Sequence, residues 1–108
     1  MLFQPGYQDG FYIIRVLQNS FTEGDAEALK NRISDYMDEG KMNIVLSFTP
    51  DSYPYSKLLT ILTQCHRLVK SRNGRLVVVH PNRDFHEIIE QTKLANVLEA
   101  YASEDDIP

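Results

Sequence analysis

Two short, uninterrupted apolar runs constrain this chain more than any other feature: Ile44-Val45-Leu46 and Leu76-Val77-Val78-Val79. Neither alternates polar with apolar residues, so each reads as a strand covered on both faces. Between them Leu58, Ile61, Leu62, Cys65 and Val69 recur at helical steps, which predicts a helix of about sixteen residues with one apolar face. A buried strand, a crossover helix and a second buried strand make a right-handed unit with parallel strands.

The remaining segments extend that unit. Residues 2–7 and 11–17 are rich in aromatic and β-branched side chains, and the Asp9-Gly10 turn signal between them predicts a hairpin. Thr22 and Asp25 have capping-box spacing and open a helix whose inward stripe is Ala26, Leu29, Ile33 and Met37, closed by Gly40. Residues 42–48 form the next strand, Asn73-Gly74 stops the second helix, and Pro81-Asn82 begins a third with Phe85, Ile88 and Ile89 inward. Residues 97–101 form a last short strand, and the acidic tail Ser103-Glu104-Asp105-Asp106-Ile107-Pro108 reads as a solvated end. The order is β-β-α-β-α-β-α-β. It predicts one α/β domain over residues 1–108, with a mixed, mostly parallel sheet, an N-terminal β-hairpin and helices packed against it.

Hydrophobic residues are 43% of the chain, enough for one core and too many for a disordered segment. The net charge of −4 speaks against nucleic-acid binding, which needs a basic face. Arg67, Lys70, Arg72 and Arg75 are a local exception. Cations favourably placed at a helix C-terminus explain them, and a site for an acidic partner is the sharper reading. A single cysteine, Cys65, leaves neither an internal disulfide nor a zinc-ligand spacing, and it reads as a small core residue. With no leader or membrane-length apolar run either, a cytoplasmic setting is expected, without membrane insertion. His66, His80 and His86 lack metal-ligand spacing, and there is no phosphate-binding glycine loop or nucleophile elbow. Neither an enzyme, a cofactor nor a metal is expected.

Open α/β sheets place function at the carboxyl ends of their parallel strands, which selects residues 49–56 and 80–82. His80 is the one histidine expected at that edge, with Asn82 beside it; His66 falls by the second helix's apolar stripe and His86 on the outer side of the third helix. The longer loop reads Thr49-Pro50-Asp51-Ser52-Tyr53-Pro54-Tyr55-Ser56-Lys57. Ser56 falls where an N-cap is needed before the apolar run from Leu58, and capping alone would explain it. A phosphoryl group there would also be favoured by the helix dipole. Tyr53 and Tyr55 suit a binding patch, because aromatics are enriched in interface cores.

Asn43-Ile44-Val45-Leu46, a loop ending in Ser56, an apolar helix with Leu59 and Leu62, Gly74-Arg75-Leu76-Val77-Val78-Val79 and a helix closing near Thr92-Lys93-Leu94 together resemble a STAS domain, the fold of bacterial anti-sigma-factor antagonists. The resemblance runs from about Gly10 to Ser103. In that family the corresponding loop reads Asp-Ser-Ser-Gly or Asp-Thr-Ser-Gly, and the first hydroxyl is phosphorylated by a serine kinase that is itself the anti-sigma factor. Aligned without gaps, the aspartate falls on Tyr55, the acceptor on Ser56, the second serine on Lys57 and the glycine on Leu58; Asp51-Ser52 keeps the dipeptide four residues earlier. The resemblance implies a regulatory protein–protein module with Ser56 as phospho-acceptor and Ser52 as second choice. It implies a surface made of Asp51, Ser52, Tyr53, Tyr55, Ser56 and Lys57, and a histidine-kinase-like ATPase as partner. The alternative is an unphosphorylated sensor or scaffold of the same fold, holding a nucleotide or lipid with the loop, His80 and Asn82. The last helix usual in the family is expected to be short or absent.

Overall fold

The computed structural model describes residues 2–108. Its elements follow the predicted order: β1 (Phe3–Gln8), β2 (Phe11–Val16), α1 (Glu23–Asp38), β3 (Asn43–Phe48), α2 (Tyr55–Ser71), β4 (Arg75–Val79), α3 (Arg83–Gln91) and β5 (Glu99–Tyr101). One sheet runs β1-β2-β3-β4-β5; β1 and β2 are antiparallel and every other pair is parallel.

Local chemistry explains the turns. Asp9 (φ 49°) and Gly10 (φ 90°) both take positive φ, as the two-residue hairpin closing Gln8 onto Phe11 demands. The Asp25 carboxylate accepts from the Thr22 backbone N–H at 2.6 Å, so aspartate serves in the capping box. After α2 the left-handed residue is Asn73 (φ 60°), not Gly74. Gly74 is required for a different reason: a Cβ there would lie 2.7 to 2.9 Å from Met37, the Met42 carbonyl and Val69.

All three helices cover one face of the sheet. Ile14, Val16, Ile44, Leu46, Leu76 and Val78 meet Leu29, Ile33, Leu58, Leu62, Cys65, Phe85 and Ile89 in a continuous core. Alternation along the strands turns Phe11, Ile13, Val45, Val77 and Val79 to the opposite face, away from α1, α2 and α3. The acidic tail covers that face, which corrects its reading as a solvated end. Ile107 is 8% exposed and packs into this second cluster behind a 3-10 turn, Glu104–Asp106, that stands where a last helix would. The Glu104 carboxylate accepts from Arg15 Nε and Nη2 at 3.0 and 2.8 Å and from Ser47 Oγ at 3.0 Å. Hydrogen bonding from Arg15 first, and from Ser47, holds it below the usual carboxylate range against the opposing effect of burial. The tail's composition is polar, but its one apolar residue has an apolar surface to fill.

Candidate interaction site at the start of the second helix

The β3–α2 loop leaves the carboxyl edge of the sheet and is tied down on two sides. The Tyr53 N–H donates to the Asn19 carbonyl at 2.7 Å, and Thr49 Oγ1 donates to Asn19 Oδ1 at 2.6 Å. On the other side Asn82 Nδ2 donates to the Pro50 carbonyl at 3.1 Å. Within the loop the Ser52 N–H donates to the Thr49 carbonyl and its hydroxyl lies 3.2 Å from that of Thr49. Ser52 is thereby packed inside the loop, 1% exposed.

Ser56 is not an N-cap. The hydrogen-bond ladder of α2 begins two residues earlier than expected, with the Leu58 N–H donating to the Pro54 carbonyl at 3.1 Å, and Pro54 occupies the capping position. A proline has no N–H to leave unsatisfied, so the helix can start there. Ser56 is the second residue of α2, exposed, and its hydroxyl has no hydrogen-bond partner among the described residues. Lys57 beside it is exposed and forms no ion pair among the described residues, and Leu58 is fully buried. Both hydrophilic residues border a groove of about 510 Å³ between the first turns of α1 and α2, whose other walls include Thr22, Ala26, Thr60 and Ile61. The sequence offered no sign of this groove, since its two walls lie over thirty residues apart (22 to 56).

The aromatics form a graded patch. Tyr53 is 66% exposed and stands edge-on to Tyr55 at 6.3 Å. Tyr55 is half-buried, meeting His80 at 6.0 Å and Phe85 at 6.1 Å. Burial, then the nearby charges of Asp84 and Asp51, raises its phenol above the ordinary value. Asp51 itself is exposed.

Of the two 80–82 candidates, His80 faces inward and Asn82 is half-buried. His80 ends β4 as expected, yet no part of it is exposed: it stacks on Phe85 at 4.3 Å and on Phe48 at 6.1 Å. Its Nδ1 accepts from the Asn82 N–H at 3.1 Å, so the proton of the neutral ring sits on Nε2, which has no partner among the described residues. Burial, and secondarily the charge of His86, pushes its pKa down to about 4. Asn82 caps α3 by accepting from the Asp84 N–H at 2.9 Å while holding Pro50. His86 is half-buried rather than outward, with Nε2 at 2.6 Å from the His80 carbonyl. No hydrogen bond joins Asp51 to His80 among the described residues. A bond from α3 back to β4 is invisible to helical periodicity, which is why sequence reasoning placed His86 on the outer side of the third helix.

The other candidates resolve into structure. Arg72 pairs with Asp38 at 2.8 Å and Arg75 with Glu99, which divides the basic cluster between two neighbouring elements. Cys65 is buried, and its thiol is pushed up to about 12 by that burial, so it is inert core. Among the described residues no three potential metal ligands converge, and no helix is long and apolar enough to cross a membrane.

A mixed five-stranded sheet with three helices on one face and a proline-rich loop running into α2 defines a class. The STAS domain profile matches residues 7–107, and the chain belongs to the STAS domain family. Its fold is shared with SpoIIAA, the Bacillus cell-fate determinant. The phosphorylated form superposes at a TM-score of 0.61 with 15% identity, covering 97% of this chain and 95% of that one. The unphosphorylated form, an anti-sigma factor antagonist, gives 0.62 at 14% identity over 97% and 91% of the two chains. A Thermotoga maritima protein assigned as an anti-sigma factor antagonist gives 0.67 at 18% identity over 96% and 89%. Among curated proteins no sequence matches. The fold is thus the one these anti-sigma factor antagonists share.

Proposed function

We propose that this chain is a regulatory docking module whose partner surface is the 49–54 loop with the first turn of α2, and that Ser56 is its phospho-switch. The observation that carries the reading is the free Ser56 hydroxyl: it is exposed, it caps nothing, and it has no hydrogen-bond partner among the described residues. The structural role that would have explained a serine there belongs to Pro54. Ser52, the other acceptor considered, is 1% exposed and would have to leave the loop to react, which favours Ser56.

A phosphate on Ser56 would lie in the first turn of a 17-residue helix, near amides with no intrahelical partner and the positive end of the dipole. The module's own fold therefore tolerates the modification. An interface does not, because a charge of nearly −2 arrives among Tyr53, Ser56 and Lys57. The partner we propose is a serine-kinase anti-sigma factor of the histidine-kinase-like ATPase type, acting in the cytoplasm. It would supply the nucleotide and the catalytic groups, while this chain contributes only the acceptor oxygen. Mass spectrometry of protein recovered from its native cell, with pull-downs by wild type, Ser56→Ala and Ser56→Asp, tests both parts. Retention of the same partner by Ser56→Asp and wild type would defeat the switch.

The groove beside Ser56 favours one second reading, a sensor for a nucleotide or lipid, since about 510 Å³ is within the range of small-ligand pockets. His80 would take no part in it, being wholly buried. A ligand selective for the folded state must raise the melting temperature. A flat thermal-shift response across nucleotides and lipids removes this reading.

A further inference from the structure

The middle helix carries cations that the fold itself does not use. Of the eleven Lys and Arg residues, six pair with carboxylates: Arg15, Lys30, Lys41, Arg72, Arg75 and Arg83. Arg32 lies over the Phe3 ring. Besides Lys93, that leaves Lys57, Arg67 and Lys70, all on α2, all exposed, and without an ion pair or ring contact among the described residues. The helix dipole does not account for them. Lys70 stands in the last turn, where a cation is favoured, but Lys57 stands in the first, where it is not. Glu99 feels the charge of Lys70, yet both its oxygens are already bound by Arg75 and Tyr101.

The three cations share one side of the helix. At 3.6 residues per turn, the arc from Lys57 through Ser56, Thr60 and Arg67 to Lys70 covers roughly 140°, with Lys57 and Arg67 about 15 Å apart along the axis. Ser56 falls near the midline of that arc, in register with Thr60 and Arg67. The sequence of α2 contains no Asp or Glu, whereas α1 carries five carboxylates against two cations and α3 three against one. Because α2 crosses between β3 and β4, it lies between the other two helices. The result is a positive stripe one helix wide, bounded on both sides by negative charge.

That shape selects the occupant. A nucleic-acid duplex or an anionic membrane is wider than the stripe and would meet the carboxylates of α1 and α3 as well. None of the exposed large apolar residues, Leu2, Tyr7, Leu17, Tyr53 and Val97, belongs to α2, so the helix has nothing to insert into lipid. A single helix with carboxylates along one face matches the stripe in width and charge. We propose that the outer face of α2 docks an acidic helix of a partner protein. The inference rests on the docking reading above and gives that partner a charge. A phosphate on Ser56, at the midline of the stripe, would repel the partner's carboxylates directly.

The probe is a helical peptide with glutamate along one face, titrated into the full chain and followed by backbone amide resonances, with its glutamine counterpart as control. Shifts should gather at residues 56–70 and fade as salt rises, and the glutamine peptide should cause none. Arg67→Glu combined with Lys70→Glu should weaken binding by about tenfold or more and should instead take up a lysine-faced peptide. The milder Arg67→Gln, checked for folding by circular dichroism, should show a smaller loss of the same kind. Shifts that fall elsewhere, or a double reversal that binds as wild type does, would overturn the proposal. So would a DNA duplex or phosphatidylglycerol vesicles moving the same amides as strongly. Ser56→Asp binding as tightly as wild type, with the double reversal still impaired, would uphold the stripe and sink the phospho-switch alone.

Discussion

His80 combines full burial with a ring N–H that no acceptor among the described residues meets. Its pKa of about 4 lies below the unfolded value of 6.5, so the unfolded chain takes up the proton first. The stability that the neutral ring permits is fully present above pH 6.5 and is lost as pH falls toward 4. Between pH 7 and 5 the loss from this one group is about 2 kcal/mol. Urea denaturation at both pH values should show wild type losing that much more than His80→Phe, which keeps the stacking on Phe85 and cannot protonate. Equal losses would mean the imidazole is not the titrating group. Ser56 makes a complementary prediction. Ser56→Asp places a negative charge in the first turn of α2 and should stabilise the fold by up to about 1 kcal/mol. A higher melting temperature with weakened partner binding would separate docking from folding; a lower one would mean the turn cannot hold the charge.

At the scale of elements, Asn82 links what the chain order keeps apart. It caps α3 and grips the loop before α2 through Pro50. Asn82→Ala should cost about 1 kcal/mol as a lost cap. It should also raise hydrogen exchange at Ser52 and Tyr53, whose amides are held within that loop by Thr49 and Asn19. Unchanged exchange there would show that Asn19 alone positions the loop. Little of this was legible in advance. The capping role of an asparagine before a helix follows from its residue type, but its second bond depends on where β3 and β4 lie side by side. Ser56 was expected as the helix cap and is instead the second residue of α2, because Pro54 starts the ladder earlier and the periodicity of Leu58, Ile61 and Leu62 does not mark a helix's first turn.

Across the whole molecule the two sheet faces are closed in different ways: one by three helices, the other by a few residues of tail. The tail therefore belongs to the cooperative unit. Ile107→Ala should cost about 2 kcal/mol in urea denaturation, as for a buried isoleucine. A change within about 0.5 kcal/mol, the usual range for surface substitutions, would return the tail to solvent.

The amino-acid order alone determined the elements, their succession and the parallel centre of the sheet, because hydrophobic periodicity and turn chemistry are local properties. Asp9-Gly10 and the runs at Ile44 and Leu76 needed no tertiary context to be read. Only the tertiary structure decided that His80 lies inside, that Ile107 closes a sheet face, and that Arg15 holds Glu104. Each of these depends on which distant surface a side chain meets, and the free energy of burial or of a charged pair belongs to that meeting rather than to the residue.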